Sequence, residues 1–304
     1  MEVLRGNSSA SLAQASRDIR GRSVMLPFAT SASEARRCIQ LFREVRTEVG
    51  NRQRPRSTHD EDLKAIESLK NLEGAWSSSP PLVFLEIGAF DGLSESNTIL
   101  LERCLNWTGV LVEANPTAWA TLRRSRERST RVHASPSCAT DGVERIYAHA
   151  YTSAALASGD IEGTKPVRCV ALKALLRHLD LDHVDFFSLD VEGAELKVLS
   201  TLFDDEVPDF DVTLIYAEAY NRQCGAECPK RDAVRRLLTS RGYILNPPFL
   251  PKVGSSDVFL RGDVANLASA EGRRLDHHHH HHHHLDGVAR LRTLLALVVG
   301  RDDD

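Results

Sequence analysis

Carboxylates gather at three places in this 304-residue chain, each where a short apolar run ends. The first is Glu86-Ile87-Gly88-Ala89-Phe90-Asp91-Gly92, directly after the apolar run 82–85. Gly88 permits a tight turn and a close approach of backbone to a ligand. A helical pattern at 95–105 follows, and helix N-termini attract anions. The spacing is not Gly-x-Gly-x-x-Gly, because position 90 is Phe; a bulky residue there suits a ligand without a pyrophosphate. The second place is Val112-Glu113-Ala114-Asn115-Pro116. An acid some 25 residues after Gly88 can accept hydrogen bonds from both hydroxyls of a ribose. The third, 186–195, carries Asp190, Glu192 and Glu195. Three carboxylates so close repel one another unless they meet a cation, a donor-rich ligand or basic groups. Glu195 suits a helix N-terminus, whereas Asp190 and Glu192 point to a site. Glu218, at the end of a later apolar run, lies beside them if the strands are parallel neighbours.

The elements that must position these groups follow from periodicity. Apolar runs at 82–85, 109–112, 131–133, 184–189 and 212–217 read as strands, the longer ones buried on both faces. Helical spacing occupies 95–105, 116–126, 170–179, 194–203 and 231–241. Residues 144–150 read as a small excursion, and 243–245 with 257–260 as a closing antiparallel pair. This alternation predicts an α/β fold with a mainly parallel, doubly wound sheet. In such sheets ligands bind beyond the carboxyl ends of the strands, where the three acidic clusters fall. The least patterned stretches, 147–165 and 220–230, are where a substrate pocket is expected.

The composition is that of a globular protein: 42% apolar, 26% charged, net charge −4. It excludes fibrous, collagen-like and wholly disordered chains. No domain-wide basic field suggests a nucleic-acid partner, and no apolar run approaches the ~20 residues of a membrane span. Residues 1–60 read as a disordered or partly helical extension, with a helix at 34–49 and a polar linker at 51–60. The stretch 1–35 lacks the apolar core of a secretory signal; its composition is also that of an organelle transit peptide, interrupted by Glu2 and Asp18. Location is read as cytoplasmic or undetermined. A helix at 62–76 and a Ser/Pro stop fill 61–81, the main domain spans 82–262, and 263–304 is a low-complexity extension. That extension holds the histidine tract 277–284 and an amphipathic stretch at 288–299. Six cysteines in a chain with a real core do not suggest a disulfide framework. Cys224 and Cys228 are read as loop thiols in preference to a local disulfide or half a zinc site, and no metal site is assigned. His133 and His149 are secondary candidates for proton transfer, with surface or structural roles the simpler reading.

Glu86 to Gly92, then Ser96-Asn97-Thr98, Leu101-Glu102-Arg103-Cys104, 109–116 and 186–195 occur in an order that resembles the FkbM-type methyltransferases. The eukaryotic and viral branch with a Ser-Leu-Asp-Val-Glu-Gly-Ala-Glu signature is the most similar. The resemblance runs over 82–261 and leaves both ends outside it. It implies a Rossmann-like class I methyltransferase fold that uses S-adenosylmethionine. By that resemblance Glu86, Gly88 and Asp91 hold the amino-acid part of the cofactor, with Ala89, Gly92 and Asn97 in the same set. Glu113 takes the ribose hydroxyls, flanked by Ala114 and Asn115, and the loop 134–138 with Ser135 faces the adenine. Asp190 and Glu192 lie near the methyl group and the acceptor. The reaction implied is O-methylation of a hydroxyl on a sugar, other glycan or small metabolite. Asp190, Glu192 or Glu218 serves as base or holds a divalent cation that acidifies the hydroxyl. The other reading is a non-catalytic FkbM-like binding or trafficking module. A nicotinamide dehydrogenase is disfavoured by Phe90.

Overall fold

The computed structural model of the protein describes residues 1–6, 15–17, 23–25, 32–47, 57, 59–72, 82–147, 156–157, 162–203, 210–219 and 228–275. The histidine tract, His149, the stretch 288–299 and most of 147–165 and 220–230 lie outside them. The elements in chain order are β1 (Glu2–Leu4), β2 (Ala15–Arg17), β3 (Ser23–Met25), α1 (Ala32–Thr47), α2 (Glu61–Asn71), β4 (Val83–Ile87), α3 (Ile99–Leu105) and β5 (Thr108–Glu113). There follow α4 (Pro116–Ser125), β6 (Thr130–His133), β7 (Ser137–Tyr147), β8 (Leu156–Ala157), β9 (Thr164–Ala171), α5 (Leu172–His178) and β10 (His183–Leu189). The last are α6 (Glu195–Leu202), β11 (Asp211–Glu218), α7 (Pro229–Ser240), β12 (Tyr243–Leu245), β13 (Ser256–Arg261) and α8 (Gly262–Leu275).

Eight strands form one sheet in the order β1-β6-β5-β4-β10-β11-β13-β12. The five from β6 to β11 are parallel; β1 and β13 run antiparallel to them, and the edge strand β12, antiparallel to β13, runs with the five. The period-two geometry of a strand sends successive side chains to opposite faces. Phe84, Leu111, Phe186, Leu214 and Leu260 accordingly pack on one side, with Ile66 and Leu69 of α2, Leu100 of α3 and Trp119 of α4. Leu85, Val112, Phe187, Leu189 and Ile215 pack on the other, with Leu175 of α5, Leu199 of α6 and Leu238 of α7. The result is an α/β fold of three layers, as the alternation predicts.

Strand order reverses between β4 and β10, so a crevice opens beyond their carboxyl ends. Asn115 starts α4 by accepting from the Thr117 amide at 2.9 Å, with Pro116 in the first turn. This cap sets the exit of the chain from β5 immediately after Glu113.

Several expectations are corrected. Of the excursion expected at 144–150, residues 148–150 lie outside the described residues, and 144–147 are part of a long strand, β7, paired with β9 across a bulge between Ser137 and Gly142. Its alternating polar residues face solvent and conceal the strand in the sequence. Residues 2–4 are not disordered: they pair with β6. Helix α8 continues where patterning was expected to fade. The cysteines are bonded, not free. Cys38 pairs with Cys104, Cys138 with Cys169, and Cys228 is also in a disulfide. The reading of Cys228 as a loop thiol is overturned because pairing depends on three-dimensional proximity, here across 66 and 31 residues for the two described bridges.

Candidate functional site

The three acidic clusters meet at the carboxyl ends of β4, β5, β10 and β11. The amides of Gly88 and Ala89 donate to the Val112 carbonyl at 3.0 and 3.1 Å, and the Asp190 amide donates to the Ile87 carbonyl at 3.1 Å. Gly88 has φ +88°, and a Cβ there would lie 1.7 Å from the Asp190 carbonyl oxygen, so only glycine permits this convergence. Phe90 and Glu192, neither a glycine, hold φ +48° and +55° on the two facing turns. Such conformations cluster where surrounding structure over-determines a functional loop.

Glu113 ends β5 as a buried carboxylate. Its Oε2 accepts from the Phe90 amide at 2.7 Å and its Oε1 from the Asn115 amide at 2.6 Å. Burial pushes its pKa up to about 7, against the pull of those backbone donors. Asp190 stands just past β10, open to the crevice. Desolvation by the surrounding walls, then the charges of Glu218, Glu192, Glu195 and Glu61, hold its carboxyl well above the ordinary range. Glu218 closes β11 opposite Ser256, and Leu189 pairs with Ala217, which sets Asp190 and Glu218 at neighbouring strand ends. Glu195 serves its own turn: Oε1 accepts from the amides of Val191 and Gly193 at 3.2 and 3.0 Å.

Other residues of the expected set shape the loop. Glu86 is buried; its Oε1 accepts from the Asn97 amide at 2.7 Å and its Oε2 from the hydroxyls of Ser96 and Thr98 at 3.0 and 2.5 Å. Asn97 donates on to Ser188 Oγ of β10 at 2.9 Å. Asp91 accepts from the amides of Leu93 and Ser94 at 2.8 and 2.7 Å. Gly92 is buried with φ +77°, and its carbonyl accepts from Arg126 at 3.1 Å. Ala114 offers its carbonyl to the His133 ring, which stacks on Trp119 at 5.3 Å. Ser135 follows β6, where the preceding Ala134 amide donates to the Glu113 carbonyl at 3.2 Å, and its Oγ donates to Glu144 of the β7–β9 hairpin at 2.9 Å. Among the described residues the one set of His, Cys, Asp or Glu ligand atoms gathered together is Cys138, Glu144 and Cys169, and its two sulfurs are bonded to each other.

Two contributors escape the sequence reading. Arg126, fully buried, bonds Ser96 Oγ at 3.0 Å and Thr98 Oγ1 at 3.2 Å, with Nε 3.1 Å from Glu102 Oε1. The segment 59–61 brings Glu61 within electrostatic reach of Asp190. A polar stretch before a short helix gives no local sign of the one role, and an arginine at the end of α4 none of the other.

A sequence model described as Methyltransferase FkbM domain matches residues 86–245, more than half of the chain. No curated protein matches it. Among solved structures, a precorrin-6Y C5,15-methyltransferase from Geobacter metallireducens is 15% identical with a TM-score of 0.36, covering 70% of this chain and 94% of that one. An O-methyltransferase from Bacillus cereus in complex with SAH is 14% identical with a TM-score of 0.37, covering 78% and 94%. An SAH-bound methyltransferase from Podospora anserina is 10% identical with a TM-score of 0.36, covering 77% and 88%.

Proposed function

The chain belongs to the FkbM methyltransferase family, and from that premise we propose that it transfers a methyl group from S-adenosylmethionine to a hydroxyl oxygen on a sugar or small metabolite. The observation that carries this reading is the convergence of Gly88, Glu113 and Asp190 at one crevice. Its donor set fits the cofactor. A ribose diol needs a fixed acceptor, and Glu113 is fixed by two amides, with no basic side chain recorded against it among the described residues. A sulfonium needs a negative field, and Glu192 and Glu218, whose charges act on Asp190, supply one.

When bound, the cofactor supplies an already activated methyl group. The protein's share is alignment and proton handling. Gly88 and Ala89 lock the first turn to β5, Glu86 and Asp91 fix the loop 92–98, and Glu113 faces the ligand's hydroxyls. Asp190, with its carboxyl pushed up, is suited to donate a hydrogen bond to an acceptor oxygen. Crowded carboxylates also disfavour an anionic acceptor and favour a neutral polyol or a cation-bearing one.

The test is calorimetric titration with S-adenosylmethionine, S-adenosylhomocysteine and NAD. We expect the first two to bind, NAD not to bind, and Glu113→Ala to lose the binding. Absence of binding to both sulfur ligands overturns the reading and favours a non-catalytic module. A screen of glycans and small hydroxyl compounds with labelled methyl donor addresses the acceptor. On any acceptor found, Asp190→Ala is expected to keep cofactor affinity and lose transfer.

A further inference from the structure

Helix α2 reaches the acceptor side of the crevice from outside the residues that the family match covers. Ser68 Oγ lies 2.8 Å from the Tyr216 hydroxyl, which pins the middle of α2 to β11. Seven residues back along a helix is about 10 Å, enough to carry the start of α2 past the end of β11. There His59 meets the turn before β13. A Cβ on Gly254 would fall 2.6 Å from His59 Cβ, and Ser255 Oγ lies 3.4 Å from His59 Nδ1. The Ser255 carbonyl in turn accepts from the Ala219 amide, one residue beyond Glu218. His59 therefore stands at the same strand end as Glu218, and Glu61 acts on Asp190.

The local geometry is that of an oriented imidazole. Glu61 Oε1 lies 3.3 Å from His59 Nδ1, and Glu61 Oε2 accepts from the His59 amide at 2.7 Å. The Glu61 side chain is 6% exposed and the His59 side chain 48%. The buried Glu61 carboxylate, in ion-pair range, and the Ser255 hydroxyl, hydrogen-bonded at 3.4 Å, thus both face Nδ1, while the other ring nitrogen, Nε2, has no partner recorded among the described residues. Oxygens of a carboxylate and a hydroxyl at Nδ1 favour the tautomer with its proton there, which leaves Nε2 as a proton acceptor.

We propose that His59 is the general base for the acceptor hydroxyl, and that Glu61 positions its ring. The proposal rests on the methyl-transfer reading and deepens it. As the acceptor oxygen bonds to the methyl carbon, the carbon–sulfur bond breaks with its electron pair going to sulfur. The hydroxyl proton passes to His59 Nε2 and afterwards to water. Three of the acids at the crevice are less suited to this step. Glu113 and Glu195 are held by backbone amides, and Asp190 stands among like charges that favour its protonated form. A neutral imidazole suffers no such crowding.

The decisive experiment is nitrogen-15 NMR of full-length protein labelled at histidine, with His59 assigned by its loss in His59→Gln. The expected signature is Nδ1 protonated and Nε2 bare, a clear shift of the Nε2 signal on saturation with S-adenosylhomocysteine, and loss of the tautomer preference in Glu61→Gln. A protonated Nε2, or His59 signals unmoved by ligand that demonstrably binds, overturns the assignment. Failure of S-adenosylhomocysteine to bind either protein overturns the methyl-transfer reading itself, and the base with it. For an acceptor found in the screen, His59→Gln is expected to lower kcat by ~10²–10⁴-fold with cofactor affinity unchanged; an unchanged kcat overturns it.

Discussion

Glu113 illustrates how a single residue ties burial to ligand chemistry. Its pKa of about 7 stands above the ordinary 4.5 because burial disfavours the charged form, and two amide donors offset only part of that. The linkage has a definite sign. A folded-state pKa above the unfolded one favours the fold below about pH 4.5, and the advantage is lost as pH rises through about 7. The shift corresponds to roughly 3 kcal/mol in the ligand-free protein. Only the ionised form accepts from both hydroxyls of a diol. Affinity for S-adenosylhomocysteine should therefore increase as pH is raised from 6 to 8, and Glu113→Gln should flatten that profile. Calorimetry across this range checks it; a pH-independent affinity in the parent protein would remove Glu113 from the ribose contact. Candidate residues of this kind are legible because their types stand at the ends of apolar runs. His59 is not, because its meaning depends on Glu61, Ser255 and Gly254, which meet it only in three dimensions.

At the scale of elements, the loop 92–98 is held by a buried charge network. Arg126 bonds the Gly92 carbonyl and the hydroxyls of Ser96 and Thr98, and its Nε faces Glu102. Glu102 also accepts from Ser129 across a short contact, and Glu86 feels the same guanidinium. Arg126→Met would take the cation from buried Glu86 and leave Glu102 with Arg103, at 3.8 Å, so a loss of about 3–5 kcal/mol is expected in urea unfolding. Arg126→Lys should recover little, since one ammonium cannot reproduce the planar fork. The same loop shapes the crevice, so affinity for S-adenosylhomocysteine should fall along with stability. The elements themselves were legible to different degrees. Strands such as β4 and β11, buried on both faces, announce themselves as apolar runs. The β7–β9 hairpin does not, because it is largely solvent-facing and interrupted by a bulge. Helix α2 was legible as a helix but not as part of the core. Its Ala65, Ile66 and Leu69 are buried against Tyr216 and Val258, contacts that only the folded sheet provides.

At the scale of the whole molecule, the disulfides decide how the N-terminal segment is attached. Cys38–Cys104 ties α1 to α3 and closes a loop of 66 residues that contains all of α2. The chain-entropy cost of opening a loop that long is about 4 kcal/mol, and the 31-residue loop closed by Cys138–Cys169 is worth nearly as much. Both bridges run against the reading that six cysteines in a chain with a real core do not suggest a disulfide framework. Peptide mapping without reductant should recover Cys38 linked to Cys104 and Cys138 linked to Cys169. Reduction should lower the unfolding midpoint, as should the double variant Cys38→Ser, Cys104→Ser. The variant should also loosen the segment that carries His59 and Glu61, because α2 lies inside the opened loop. The expected pattern is a lower midpoint with S-adenosylhomocysteine affinity retained and the His59 tautomer signature weakened. An unchanged midpoint after verified reduction would mean that the sheet and α2 packing alone hold the N-terminal segment, and the bridges would carry no stability.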